Sequence, residues 1–310
     1  MNGIFFSVLE QVGVMLLLMG IGAFLTRKEV IGEKSVHDFS GVLLKVISPS
    51  VIINAFLQSA DISKLPGLGF AAGLAVVTHI IAVVITTLVF RKKGDISSIR
   101  RFAASYSNCG FMAIPLITAM FGEEGAFYAS AFIIVFYLFV WTHGAMIMSG
   151  KISVRKMFLN PAVIALCIGL VTMFLPFRMP EIITKPIGML AQINTVLAML
   201  ITGYFLAKNK PWKVLKDWSV WVVCFVKLVA IPGVMIPVYL LVMHLFPGEE
   251  TLRICLVNLL AAACPTASLA TIFAANYHKD VGYASSTTAV ATVLSILTLP
   301  VMAWLFEIVL

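Results

Sequence analysis

Ten times along the chain, an apolar run is closed off by a short polar or charged cluster, such as Arg91-Lys-Lys-Gly-Asp95 or Lys208-Asn-Lys-Pro211. A helix that spans a bilayer needs about 20 predominantly apolar residues, and these runs are of that length. In lipid every backbone amide and carbonyl must be satisfied internally, which restricts spanning structures to helices and closed barrels. The sequence therefore reads as an all-α membrane protein. Its ten transmembrane helices are expected at 4–25, 38–59, 66–90, 101–120, 125–148, 159–177, 186–207, 218–246, 251–275 and 281–306. Composition agrees: 61% of the residues are hydrophobic and 12% charged, against about 25% charged in a soluble domain. Little chain remains for a soluble domain.

The net charge of +8 is spread over short clusters between the apolar runs. A phosphate backbone would need a continuous basic face, so a nucleic-acid partner is excluded. The clusters are strongly lopsided. Sixteen Lys and Arg residues fall in one set of alternate loops, and only Lys64, Arg178, Lys185 and Arg253 fall in the other. The positive-inside rule then places both termini outside the cytoplasmic membrane. The first apolar run has no basic segment ahead of it and reads as a retained first span. The five cysteines lie inside apolar runs without metal spacing, so no metal or cofactor is expected.

Asn108 and Pro115 stand seven apart, and so do Asn258 and Pro265, 150 residues later. Each pair leads into an apolar segment, a charged turn and Tyr-Ala-Ser, at 128–130 and 283–285. The pairing matches span four with span nine and span five with span ten. An odd-numbered repeat inserts upside down, so the chain divides into inverted five-helix repeats, 1–150 and 151–310. A mid-span proline lacks a donor and clashes with the carbonyl one turn earlier. If helices four and nine break before their prolines and cross, two half-helix N-termini meet at the midplane, a setting suited to a carboxylate. Asn108 and Asn258 would orient it with neutral amides, with Cys109, Gly110, Pro115, Pro265 and Thr266 around them. Ordinary proline kinks are the competing explanation.

Lys227 lies deep in span eight and reads as an anion partner, a coupling group, or a side chain that snorkels to the surface. Asn54, Gln192 and Asn194 are expected to face the same site from spans two and seven, or to bond between helices. Gly69 and Gly73 have the spacing of a close-packing motif. An intramembrane hydrolase is disfavoured, because HExxH, GxSxG and paired intramembrane aspartates are absent. Ser153-Val-Arg-Lys156 fits S-x-x-K only by chance in a basic loop. A channel would need a continuous polar stripe, and a sodium site at the crossover would lack a carboxylate.

Ser107-Asn-Cys-Gly-Phe-Met-Ala-Ile-Pro115-Leu with Phe121-Gly122, and Cys264-Pro-Thr-Ala-Ser268 with Ala274-Ala-Asn-Tyr277 and Asp280, resemble the auxin efflux carrier family in its compact prokaryotic form. The resemblance implies a fold shared with bile-acid symporters and sodium–proton antiporters. It further implies a scaffold (4–59 and 159–207), a transport domain (66–148 and 218–306), elevator-type alternating access and a homodimer built through the scaffold. Malate, malonate or an auxin-like acid would be the substrate, with a sodium-coupled bile-acid-like symporter as the alternative. The long central loop of many plant members is missing here.

Overall fold

The computed structural model describes residues 4–59, 62–91, 94–152, 155, 158–175, 179–208 and 214–309. Lys92, Lys93, Ser153, Lys156, Arg178, Lys210 and Lys213 lie outside these residues. Among the described residues the chain is helical apart from turns and one isolated β-bridge. Helix α1 covers Ile4–Arg27; α2 (Glu33–Val42) and α3 (Ser48–Ser59) are joined by a π turn, and α4 runs over Leu65–Val89. Helix α5 (Asp95–Ser105) is separated by a short extended segment from a π turn at Cys109–Ala113 and α6 (Ile114–Phe139). A third π turn leads to α7 (Ala145–Ser149), followed by α8 (Pro161–Met173) and α9 (Glu181–Lys208). Helices α10 (Trp218–Phe225) and α11 (Ile231–Leu245) again flank a π turn, and α12 (Glu249–Ala263), α13 (Leu269–Asn276) and α14 (Val281–Ile308) complete the chain.

Among the described residues, seven continuous helical segments are long and apolar enough to cross a membrane, and Pro161–Met173 is a shorter apolar helix. The segment Cys109–Ser149 has 41 residues, about 60 Å of helix at 1.5 Å per residue against a hydrocarbon core of about 30 Å. It turns within its length at Gly122, whose φ of 62° and ψ of −153° are not helical. That positive φ suits glycine, because a Cβ would crowd the following carbonyl.

Three of the π turns share a cause. Those at Leu43–Ile47, Cys109–Ala113 and Val226–Ala230 each end two residues before a proline, at Pro49, Pro115 and Pro232. The carbonyl that each proline ring would strike, four residues back, belongs to the middle residue of the turn. Widening the helix there relieves the clash. Pro115 is thus accommodated within its helix by the π turn, and the chain is unwound ahead of it at 106–108, as expected of a helix that breaks before its proline.

Helix α1 packs on α9 and α14. Gly22 lies against the backbone of Leu200, and Gly203 against that of Met19 and Ala23, so these two glycines allow α1 and α9 to approach closely. Gly69 and Gly73, expected as the close-packing pair, have nothing within 4 Å of where a Cβ would stand and face outward. Leu17, Val171, Met189 and Leu297 are exposed on the outside of the bundle, consistent with lipid as the covering solvent. At one end Glu124 pairs with Lys64 at 2.8 Å and with Arg253, while Lys279 pairs with Asp95 elsewhere at 2.6 Å.

Candidate functional site

Helix α5 ends at Ser105 because Tyr106 turns to extended backbone (φ −109°, ψ 125°). Helix α12 ends at Ala263 because Cys264 does the same (φ −56°, ψ 150°), as expected of a residue before proline. The two extended segments lie side by side and antiparallel, with Ser107 opposite Thr266. Asn108 N–H donates to the Pro265 carbonyl at 2.7 Å, and Ala267 N–H to that of Tyr106 at 2.9 Å. This miniature ladder supplies the partners that two helices lose by unwinding at depth.

The side chains repeat the exchange. Ser107 Oγ donates to the Ala262 carbonyl at 3.1 Å, and Thr266 Oγ1 to the Ala103 carbonyl at 3.0 Å. Each hydroxyl thus caps the last turn of the other helix, where carbonyls have no intrahelical donor. These bonds come in pairs that interchange under a shift of 159 residues, which matches 103 with 262, 106 with 265, 107 with 266 and 108 with 267. The expected register of 150 is therefore corrected. Asn108 corresponds to Ala267, and Asn258 lies within α12, ahead of the break.

Lys227 breaks this local symmetry. Its stem sits in the π turn between α10 and α11, and the residue is only 1% exposed. The ammonium donates to Ser107 Oγ at 2.5 Å and to the Ala262 carbonyl at 2.9 Å. A cation at the C-terminus of α12 meets the negative end of the helix dipole. Lys227 therefore does not snorkel; it pins the crossing.

Two cavities flank the crossing. The larger, about 610 Å³, is lined by Ser107, Asn108, Gly110 and Phe111 from one break and by Ala267, Ser268 and Leu269 from the other. Apolar wall comes from Leu44, Phe136, Phe205 and Ile272, while Glu33, His37 and Lys208 are exposed at its mouth. The smaller, about 320 Å³, contains Val51, Asn54, Pro115, Thr118, Glu123, Gly188, Gln192 and Asn194, and it reaches the surface at the exposed Gln58. The larger runs between α2, the C-terminal part of α9 and both breaks, the smaller between α3, the N-terminal part of α9 and α6, so the two lead toward opposite ends of α9.

A family model described as "Membrane transport protein" matches residues 7–153 and 146–303. The chain belongs to this family, that of the auxin efflux carriers. A protein of Methanothermobacter thermautotrophicus described as an uncharacterized transporter is 30% identical over 125 residues, or 39% of this chain. The match spans 41% of the length of that curated relative. The family makes this a multi-pass transport protein, not an enzyme.

Within this transport protein the expected site residues separate. Asn108 and Gly110 line the larger cavity, whereas Pro115, Asn54, Gln192 and Asn194 line the smaller. Cys109, Pro265 and Thr266 are buried in the crossing and line neither cavity. Asn258 also lines neither, and its amide donates to its own helix at the Ile254 carbonyl, 3.1 Å away. The expected shared Asn108–Asn258 site is not assembled. Ser107, Ser268, Thr288 and Thr292 in the larger cavity, and Glu123 in the smaller, were missed. Thr288 and Thr292 are four apart on α14, a spacing that puts them on one helix face.

Proposed function

We propose that the chain is a secondary transporter of a small organic anion that works by elevator-type alternating access. The carrying observation is the larger cavity, onto which the first turns after both helix breaks open. Helix N-termini present unsatisfied N–H groups and partial positive charge, and a carboxylate complements both. The Asn108 side chain can donate one further hydrogen bond to that carboxylate. Lys208 at the mouth attracts anions without meeting them at the inner end.

The walls favour one member of the expected substrate class. Phe111, Phe136, Phe205, Leu44 and Ile272 suit an apolar or aromatic body. A second carboxylate, as in malate or malonate, would lie against those side chains without a cationic partner. The proposed substrate is therefore a monocarboxylate with an apolar body, of the auxin-like kind.

The architecture that fits this reading has ten spans in two inverted five-helix repeats. The interrupted pairs α5 with 109–121 and α12 with α13 serve as spans four and nine. Helices α1 to α3, α8 and α9 form the scaffold, and the rest form the mobile domain. Cavities at opposite ends of the boundary between them support exchange of access. Both termini face outside, so the larger cavity opens to the cytoplasm, and a homodimer forms through the scaffold.

Uptake into proteoliposomes is the test, with a panel of aromatic monocarboxylates, malate and malonate. Saturable uptake of an aromatic monocarboxylate in preference to the dicarboxylates is the expected result. Preference for the dicarboxylates overturns the substrate class, and no carboxylate uptake overturns the function.

A further inference from the structure

The smaller cavity contains oxygens that the fold leaves without donors. Glu123 Oε2, Thr118 Oγ1 and Asn54 Oδ1 are each buried and make no hydrogen bond among the described residues. They come from separate places: Asn54 from α3, Thr118 from α6 ahead of the Gly122 turn, and Glu123 just after it. Asn54 is 5% exposed, and its side chain lies beside that of Glu123 in the same cavity. Gly188 on α9 leaves room for Asn54 Oδ1, which lies 3.3 Å from where a Cβ would stand. Among the described residues, Glu123 is the only acid lining the cavity, no Lys, Arg or His lines it, and Glu123 makes no ion pair.

Each orphaned acceptor is destabilising, and a bound ion is one recognised reason for retaining such a group. Three oxygens, one of them a carboxylate, are hard ligands that suit hard cations over zinc or copper. A single negative charge at low dielectric balances a single positive one. A divalent ion would leave a net charge buried. The fourth orphan, Asn194 Nδ2, is a donor and no part of the set.

We propose that Glu123, Thr118 and Asn54 form a binding site for a monovalent cation of sodium size in the smaller cavity. The ion bridges α3 to the two halves of α6, so its occupancy fixes the helices that border one cavity. The site is separate from the carboxylate-binding break and does not depend on the proposed substrate.

The test is equilibrium binding of radiolabelled sodium to the purified full-length protein, in choline buffer at fixed pH and without any organic anion. The wild type should bind saturably, near one ion per chain. Glu123→Gln and Thr118→Val keep side-chain shape, and each should weaken binding by at least about tenfold. Gly188→Ala crowds Asn54 Oδ1 without altering a ligand and should weaken it too. Absence of saturable binding by the wild type overturns the proposal. So does undiminished binding by Glu123→Gln, or by Gly188→Ala should the other two variants not fold. Stability that responds to pH but not to sodium assigns Glu123 to proton binding and likewise overturns it.

Discussion

Thr266→Val removes one hydroxyl and leaves side-chain shape almost unchanged. In the wild type that hydroxyl donates to the Ala103 carbonyl at 3.0 Å, and Thr266 is fully buried. The substitution strands a carbonyl in the last turn of α5, for a loss of about 1–3 kcal/mol. Thr287→Val is the matched control. Thr287 is also fully buried, but its Oγ1 has no partner among the described residues. Replacing an unsatisfied hydroxyl with a methyl group relieves a burial penalty, so this variant should be neutral or more stable. Unfolding of the purified variants by titration with a denaturing detergent measures both. Equal effects of the two substitutions would refute the capping role assigned to Thr266.

Three further outcomes follow from the packing and the charge pattern. Gly203→Ala drives a Cβ into the backbone of Met19 and Ala23, so it should lower the melting temperature far more than Gly73→Ala, where nothing lies within 4 Å; similar melting temperatures would contradict the α1–α9 packing. Lys227→Met should lower thermal stability while changing carboxylate affinity by less than about threefold, because Lys227 lines neither cavity. A large affinity change at unaltered stability would make Lys227 an anion partner after all. A cysteine replacing Lys93 should resist impermeant thiol reagents in intact cells and react after permeabilisation; labelling in intact cells would reverse the proposed orientation.

The long apolar runs made the helical membrane fold legible, since lipid leaves the backbone few choices. Interrupted helices at 105–109 and 263–269 were also foreseen in outline, and Asn108 does begin the helical segment after the first break. The register between the breaks was not legible. It is set by backbone hydrogen bonds and by two common hydroxyl residues, Ser107 and Thr266, whereas the more conspicuous Asn/Pro spacing of 150 has no structural counterpart. Asn258 stood out as polar in an apolar helix, yet its amide satisfies a carbonyl one turn earlier. Lys227 could not be assigned because its partners lie 120 and 35 residues away. Glu123 looked like part of a charged turn, and only folding turns it toward Asn54 while its neighbour Glu124 pairs with Lys64.

In the proposed binding mode, a carboxylate binds where the two broken helices open onto the larger cavity, with Asn108 contributing a side-chain hydrogen bond. The most direct measurement is the dissociation constant of an aromatic monocarboxylate for purified wild type and Asn108→Ala, with melting temperature as a check on folding. One hydrogen bond to a charged group is worth about 1.5–3 kcal/mol, so affinity should fall by roughly ten- to a hundredfold while the protein stays folded. An unchanged dissociation constant in a folded Asn108→Ala protein would contradict that binding mode.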